Sequence, residues 1–419
     1  MSQQQIKQAP RLQITEKGEK LLRGGHVWVY ADEALPSEQE ISNGDMVSVY
    51  SKKQKFLGTG FYNANSKIRI RIITKNANDI PGQAFWERRV AYALSYRRTV
   101  MGEEDFKCCR LIFGEADSFP GLTVDRFDNI LVTEVLSLGM EQVKDWIYAA
   151  LVSTLRDVYG AQIDAIYERN DMAIRTLEGL PRYDGYYTSP SLSLKTDADG
   201  LDGTTKICEN GIIYTVDYIN GQKTGFFLDQ KYNRRAIRKI AQGKRVLDCF
   251  THTGSFGLNA AAGGALHVTS VDISADALAT AAENAKQNGL DDRITYVKAD
   301  VFDYLKVLDK GRGAAPFDFI ILDPPAFTKS RDTLKNAIKG YREINAAAMR
   351  ILPRGGYLAT CSCSHFMTDT YFKQMLHNAA EDAGVSLRQI EARQQAPDHP
   401  ILWNVPETDY LGFYIFQIV

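Results

Sequence analysis

Hydrophobic and polar positions follow two different rhythms along this chain, and the change of rhythm divides it. Up to about residue 75 the apolar positions recur every second residue in short runs: His26–Tyr30, Asp45–Tyr50, Lys55–Tyr62 and Lys67–Ile73. Gly, Asn and Lys clusters separate them, so the pattern predicts strands and an all-β first segment. In the last run Lys67, Arg69 and Arg71 alternate with isoleucines, which puts the three cations on one strand face. Lys52, Lys53 and Lys55 fall at a hairpin tip.

From about Pro81 the period lengthens. Phe85–Met101 and Met140–Tyr159 repeat with helical spacing, and Leu131–Leu136 and Ile163–Tyr167 read as strands. This is an α+β stretch, closed by the polar, turn-rich Thr196–Gly203. Beyond residue 205 strands alternate regularly with helices. The strands are Arg245–Cys249, His267–Asp272, Ile294–Lys298, Phe317–Leu322 and Tyr357–Cys361. Between them lie helices Ser255–Ala262, Ser274–Asn288 and Val301–Leu308, then a long helical stretch to Leu352. Such alternation predicts a doubly wound, mostly parallel sheet with its strand C-termini on one edge.

With 419 residues the chain is long enough for two or three domains. The rhythm sets them at 1–76, 77–198 and 199–419. A net charge of −1 says nothing about partners, but its distribution does: up to Lys75 there are twelve Lys and Arg against seven Asp and Glu. That asymmetry points to a polyanion-binding arm, with a solvated basic face as the plainer reading. The six cysteines at 108, 109, 208, 249, 361 and 363 show no zinc-like spacing, so no metal is expected and a reduced, cytoplasmic setting is. Neither the N-terminus nor any other stretch carries a leader-like or membrane-spanning apolar run.

The predicted strand edge collects carboxylates. The first strand ends at Asp248-Cys249-Phe250, and Thr251-His252-Thr253-Gly254-Ser255-Phe256-Gly257 leads into a helix. Gly254 suits a tight turn near a ligand and Gly257 suits close helix–sheet packing. The spacing is neither that of a dinucleotide fingerprint nor that of a phosphate cradle. Asp272 closes the second strand and suits ribose hydroxyls. Asp300, past the third, suits an adenine amine, and Asp323 follows the fourth. A single carboxylate beside a helix start is often only a cap. Four in a row fit a ligand with a cationic centre and several donors, and S-adenosylmethionine has a sulfonium, an ammonium, ribose hydroxyls and an adenine amine.

Two motifs compete to define the methyl acceptor. Asp323-Pro324-Pro325-Ala326-Phe327 resembles the Asp-Pro-Pro-aromatic loop that exocyclic-amine methyltransferases use, with an Ala intervening. Thr360-Cys361-Ser362-Cys363-Ser364 offers a nucleophile instead. Carbon 5 of a pyrimidine is a poor nucleophile until a thiolate adds to carbon 6, and only cysteine combines the attacking and leaving ability required. Cys361, last in a buried strand, reads as structural; Cys363, in the loop beyond, reads as the nucleophile. Cys249 reads as pocket lining.

Taken together these motifs resemble the RlmI-like family of PUA-domain-containing class I methyltransferases, which make 5-methylcytosine in large-subunit (23S) rRNA. The resemblance is carried by Arg23-Gly-Gly-His-Val-Trp-Val-Tyr30, by Gly114-Glu-Ala-Asp-Ser-Phe-Pro-Gly-Leu-Thr-Val-Asp-Arg-Phe127 and by Gly221-Gln-Lys-Thr-Gly-Phe-Phe-Leu-Asp-Gln230. The Asp248 loop, Asp323 to Phe327, Gly340-Tyr-Arg-Glu-Ile-Asn345, Ser362-Cys-Ser364 and Asp398-His-Pro400 complete it. It covers nearly the whole chain. It implies a PUA-like RNA-binding barrel, an α+β connector and a Rossmann-like catalytic domain; on the first, the alternating Lys67, Arg69 and Arg71 are the RNA contacts expected from the charge pattern. It also implies Cys363 as nucleophile, Lys223, Phe227 and Gln230 in the cofactor pocket beside Asp248, Phe250, Thr253, Gly254, Ser255, Asp272, Asp300 and Asp323, and large-subunit rRNA as partner. No cysteine accompanies the prolines after Asp323, so Asp323, or a water it holds, is the base expected to remove the carbon 5 proton. His365-Phe366 departs from the Gly and small apolar residue frequent in the family. Exocyclic-amine methylation and a cofactor-binding assembly factor without turnover remain the alternatives, and a homodimer is left open.

Overall fold

A computed structural model describes residues 9–311, 316–328 and 330–419. The first eight residues, read above as lacking a leader, lie outside them. Two compact units divide the chain. The first takes residues up to Ile207 with Val216–Leu228 and Pro397–Thr408; the second takes Cys208–Thr215, Asp229–Ala396 and Asp409–Val419.

In the first unit the period-two runs become β1 (Arg11–Gln13), β2 (Trp28–Tyr30), β3 (Met46–Tyr50), β4 (Phe56–Tyr62) and β5 (Ile68–Thr74). They pair in the order β1-β3-β4-β5-β2, with β1 parallel to β3 and the other pairs antiparallel. Leu12, Val29, Val47, Val49, Ile70 and Ile72 fill the interior. The expectation of an all-β segment needs correction, because residues Glu16–Arg23 form a helix. Thr15 caps it by accepting from the Gly18 N–H at 3.3 Å, and only Gly18 and Leu22 are buried. Eight residues with one buried stripe give too short a repeat to stand out from the surrounding alternation.

A second sheet, in the order β10-β9-β8-β7-β6, comprises β6 (Cys108–Phe113), β7 (Leu122–Phe127), β8 (Ile130–Val135), β9 (Ala165–Asn170) and β10 (Tyr183–Tyr186). Helices Gln83–Val100 and Leu138–Tyr159 accompany it. The buried Arg97 on the first of these pairs with both oxygens of Asp117 at 2.6 and 2.7 Å and donates to the Asp398 carbonyl at 2.9 Å. Asp398 in turn accepts from the Arg110 N–H at 2.9 Å and lies 2.9 Å from His399 Nδ1. Residues 397–408 are thereby bound into a unit whose other residues lie far upstream in the chain.

The predicted row of three cations is broken by pairing. Arg71 reaches Glu115 at 3.4 Å and Glu178 at 3.0 Å, and Glu115 also accepts from the Trp28 indole at 3.0 Å. Arg71 is therefore engaged by two carboxylates of its own unit and is mostly buried. Lys67 is exposed one residue before β5, and Arg69 makes no ion pair among the described residues.

The ribbon of β11 (Thr204–Glu209) and β12 (Ile212–Asp217) marks where the chain first passes into the second unit. There the predicted alternation appears as a seven-stranded sheet. Its strands are β13 (Arg245–Cys249), β14 (His267–Asp272), β15 (Ile294–Lys298), β16 (Phe319–Leu322), β17 (Tyr357–Ser362), β18 (Leu387–Arg393) and β19 (Gly412–Ile418). The order is β15-β14-β13-β16-β17-β19-β18, parallel except for the two pairings of β19. Strand order reverses between β13 and β16, and in such a sheet ligands bind beyond the strand C-termini at that switch. Among the described residues no helix is long and apolar enough to cross a membrane.

Candidate active site

The loop leaving β13 is built around a buried carboxylate. Asp248 is fully buried, and its Oδ2 accepts from the Gly257 N–H at 2.8 Å and from the Thr251 hydroxyl. A Cβ on Gly257 would stand 2.9 Å from that same oxygen, so only glycine lets the helix Ser255–Ala262 start this close to the strand. Gly254 has φ +85°, and Phe250 and His252, at +61° and +49°, also occupy the left-handed region. Strain of this kind persists only where the surroundings enforce it, and it concentrates at ligand sites. The His252 N–H is held at 2.9 Å by Asp272 Oδ2, which ties the loop to the end of β14.

Two polar atoms in this loop are left without partners among the described residues: Asp248 Oδ1 and Thr253 Oγ1, both buried. Buried polar atoms are seldom orphaned unless a ligand or water satisfies them. Burial, with the Asp323 and Asp272 charges adding to it, pushes the Asp248 carboxyl up to about 7 against the hydrogen bonds from Thr251 and Gly257. A cation would relieve that cost, so the residues present fit a ligand of positive charge.

Asp272 also accepts from the Ser274 N–H at 2.9 Å through Oδ1, leaving further lone pairs on both oxygens. Next to it Ile273 is 66% exposed, an apolar surface at a strand end that the sequence reading missed. The signal was present, since an isoleucine directly after a strand-end aspartate has no core to enter. Asp300 is exposed and caps the helix Val301–Lys310, accepting from the Asp303 N–H at 3.1 Å; the plainer capping role is realised there. Ser255 opens the helix Ser255–Ala262.

Across the switch point, Asp323 lies at the end of β16. Its Oδ1 accepts from the Cys361 thiol at 2.8 Å and from the Gln230 amide at 3.2 Å, and burial raises its carboxyl above the ordinary range. The Gln230 amide also reaches Cys361 Sγ at 3.3 Å, and Asn233 holds the Gln230 carbonyl at 2.6 Å. Cys361 is sealed, and burial together with the Asp323 charge holds its thiol well above its usual pKa. Cys249 is raised likewise by burial. Cys363 differs: it lies beyond β17, half-buried, with its Sγ 3.7 Å from the Pro324 carbonyl. Lys223 and Phe227 belong to the first unit, where the ammonium stands 4.6 Å from the ring centroid.

Comparison with known proteins adds to this geometry. A family profile described as S-adenosylmethionine-dependent methyltransferase matches residues 187–409, and one for a PUA-like domain matches residues 12–75. The ribosomal RNA large subunit methyltransferase I of Pseudoalteromonas translucida is 38% identical over 407 residues, covering 96% of each chain. That of Klebsiella pneumoniae is 37% identical over 415 residues, covering 98% of each. Among solved structures, a Streptococcus mutans protein described as a candidate SAM-dependent methyltransferase superposes with a TM-score of 0.78. It shares 24% identity and covers 97% of this chain and 100% of its own. A methyltransferase candidate solved in complex with SAH matches with the same values. These two likenesses show the fold.

Proposed function

The chain belongs to the S-adenosylmethionine-dependent methyltransferase family, and from that premise we propose that it methylates carbon 5 of a cytosine in large-subunit (23S) ribosomal RNA, using Cys363 as nucleophile. The observation that carries this reading is the contrast between two cysteines two residues apart. Cys361 is locked as a thiol against Asp323, whereas Cys363 stands half-buried past the strand end, beside the Asp-Pro-Pro loop.

The cofactor supplies an electrophilic methyl group on a sulfonium. Asp248, Phe250, Thr253, Gly254, Ser255 and Asp272 are the residues that would hold it, with Ile273 offering an apolar face and Asp300 an exposed carboxylate. Gln230 and Asp323 border them, and Lys223 and Phe227 are assigned there by the family resemblance alone. The target base must leave its stack to reach such a site. The Cys363 thiolate then forms a bond to carbon 6, and the electron pair moves so that carbon 5 becomes nucleophilic and takes the methyl group. Asp323, or a water it holds, accepts the proton from carbon 5. A carboxyl raised by burial is a better base than an ordinary one. As the carbon 5 to hydrogen electrons restore the ring, the bond between sulfur and carbon 6 breaks and the thiolate is regenerated.

The experiment that tests this reading uses RNA tritiated at carbon 5 of cytosine. One tritium should be released per methyl group transferred. Methylation without release would assign the chemistry to the exocyclic amine and overturn the carbon 5 reading.

The three segments 1–76, 77–198 and 199–419 then act as RNA-binding arm, connector and catalytic domain, in a reduced cytoplasmic setting. For the arm, Lys67 and Arg69 are the phosphate contacts, since Arg71 is already paired. Each phosphate contact contributes about −0.7 to the slope of log affinity against log salt on single strands. Replacing both residues by Gln should flatten that slope by about 1.4, while Arg71→Gln should lower the melting temperature instead. An unchanged slope in the double variant would make the two cations ordinary surface.

A further inference from the structure

The PUA-like domain carries a cleft of about 420 Å³ bordered by β1, the loop after β2 and the ends of β4 and β5. That volume falls in the range of small-ligand pockets. Leu12, Ala34 and Ile41 give it an apolar lining, and Tyr62, Arg69 and Gln39 line it as well.

Three features separate this cleft from ordinary surface. The Tyr62 ring is half-buried, and its hydroxyl bonds to nothing among the described residues. Arg69 stands 5.8 Å from the Tyr62 centroid, whereas on the same domain Arg11 closes over Tyr50 at 4.0 Å, so the Tyr62 ring lacks the tight cover that Tyr50 has. Arg69 makes one long hydrogen bond, 3.4 Å to the Asn63 carbonyl, and has no carboxylate partner. Gln39 accepts from the Arg11 N–H at 2.7 Å through its carbonyl oxygen, which leaves its amide hydrogens to donate.

An aromatic face, a planar guanidinium and a polar donor form the combination by which proteins hold a splayed nucleobase. We propose that this cleft takes one unpaired base of an RNA strand, stacked on Tyr62 beside the Arg69 plane, with the charges of Arg69 and Lys67 serving the adjoining phosphates. The proposal rests on the RNA reading above and names where the arm grips a base. RNA is favoured over an apolar protein segment because Arg69 lines the cleft without a carboxylate partner among the described residues, on a segment with a surplus of cations in which the exposed Lys67 lies two positions earlier.

The test uses the full-length protein and labelled octauridylate, with binding measured across a salt series. Stacking and charge separate cleanly, because stacking changes affinity equally at every salt concentration and phosphate contacts change the slope. Tyr62→Leu should bind on the order of tenfold more weakly at all salt concentrations with an unchanged slope, and Tyr62→Phe should match wild type. Arg69→Lys, which keeps the charge and loses the plane, should also weaken binding without altering the slope. An octamer carrying 5-iodouridine should crosslink to Tyr62 on irradiation. Wild-type affinity in both Tyr62→Leu and Arg69→Lys would overturn the base site and leave the RNA reading standing. Failure of the wild-type protein to bind octauridylate at low salt would instead sink the RNA reading.

Discussion

Cys363→Ala should lower methyl transfer on the order of a thousandfold or more, because no other thiol is placed to replace it. RNA carrying 5-fluorocytidine at the target sharpens the result. The fluorine cannot leave carbon 5 as a cation, so the adduct with Cys363 should persist as a denaturation-resistant protein–RNA band. That band should require cofactor and should vanish in Cys363→Ala. Cys361→Ala should keep the band, since its thiol is a buried donor to Asp323, not an attacking group. It should lose some turnover through a less firmly held Asp323, and Cys361→Ser should restore that loss. A fully active Cys363→Ala protein would remove the covalent mechanism and leave the methyltransferase family assignment untouched.

The affinity for S-adenosylmethionine should fall steeply below pH 7, by up to tenfold per pH unit, and level off above it. The cause is Asp248, whose carboxyl burial pushes up to about 7 in the cofactor-free protein. A cationic ligand favours the ionised form, so binding must expel the proton wherever Asp248 is protonated beforehand. Near pH 6, calorimetry in buffers of different ionisation enthalpy should report release of close to one proton per cofactor bound. The sign is opposite for stability without cofactor. The folded protein holds a proton that the unfolded chain, with an ordinary carboxyl near ~3.9, has already lost. Stability is therefore greatest below about pH 4 as far as this group is concerned, and declines through the window up to about 7. Asp248→Asn should abolish both dependences. An affinity that is flat from pH 5.5 to 8 in the wild-type protein would refute the linkage.

How much of this was legible in the residues depended on the length and regularity of the signal. The strands β13 to β17 were readable because each is a run of four to six residues rich in β-branched, aromatic and other apolar side chains, set off by helical or turn-rich stretches. The helix Glu16–Arg23 was not, since its eight residues bury one turn between strands. The row Lys67, Arg69, Arg71 was correctly seen as alternating, but alternation is blind to Glu115 and Glu178, which lie 44 and 107 residues beyond Arg71 and neutralise it. At the site, Asp248 and Gly257 were named from their spacing. The hydrogen bond that joins Cys361 to Asp323 spans 38 residues and follows only from the register of β16 against β17.

The placement of residues 397–408 has a consequence for biosynthesis. Arg97, buried near the start of the chain, needs the carbonyl of Asp398, and the Arg110 N–H needs its side chain. During synthesis these partners leave the ribosome only after some three hundred further residues have been added. Loop closure over that distance is slow, and an N-terminal unit awaiting its last strap exposes partly formed structure meanwhile. The first unit thus cannot finish folding vectorially. A chain stalled before Asp398 should be protease-sensitive as far upstream as the Gln83–Val100 helix, so that completeness of translation is itself a condition for a stable first unit.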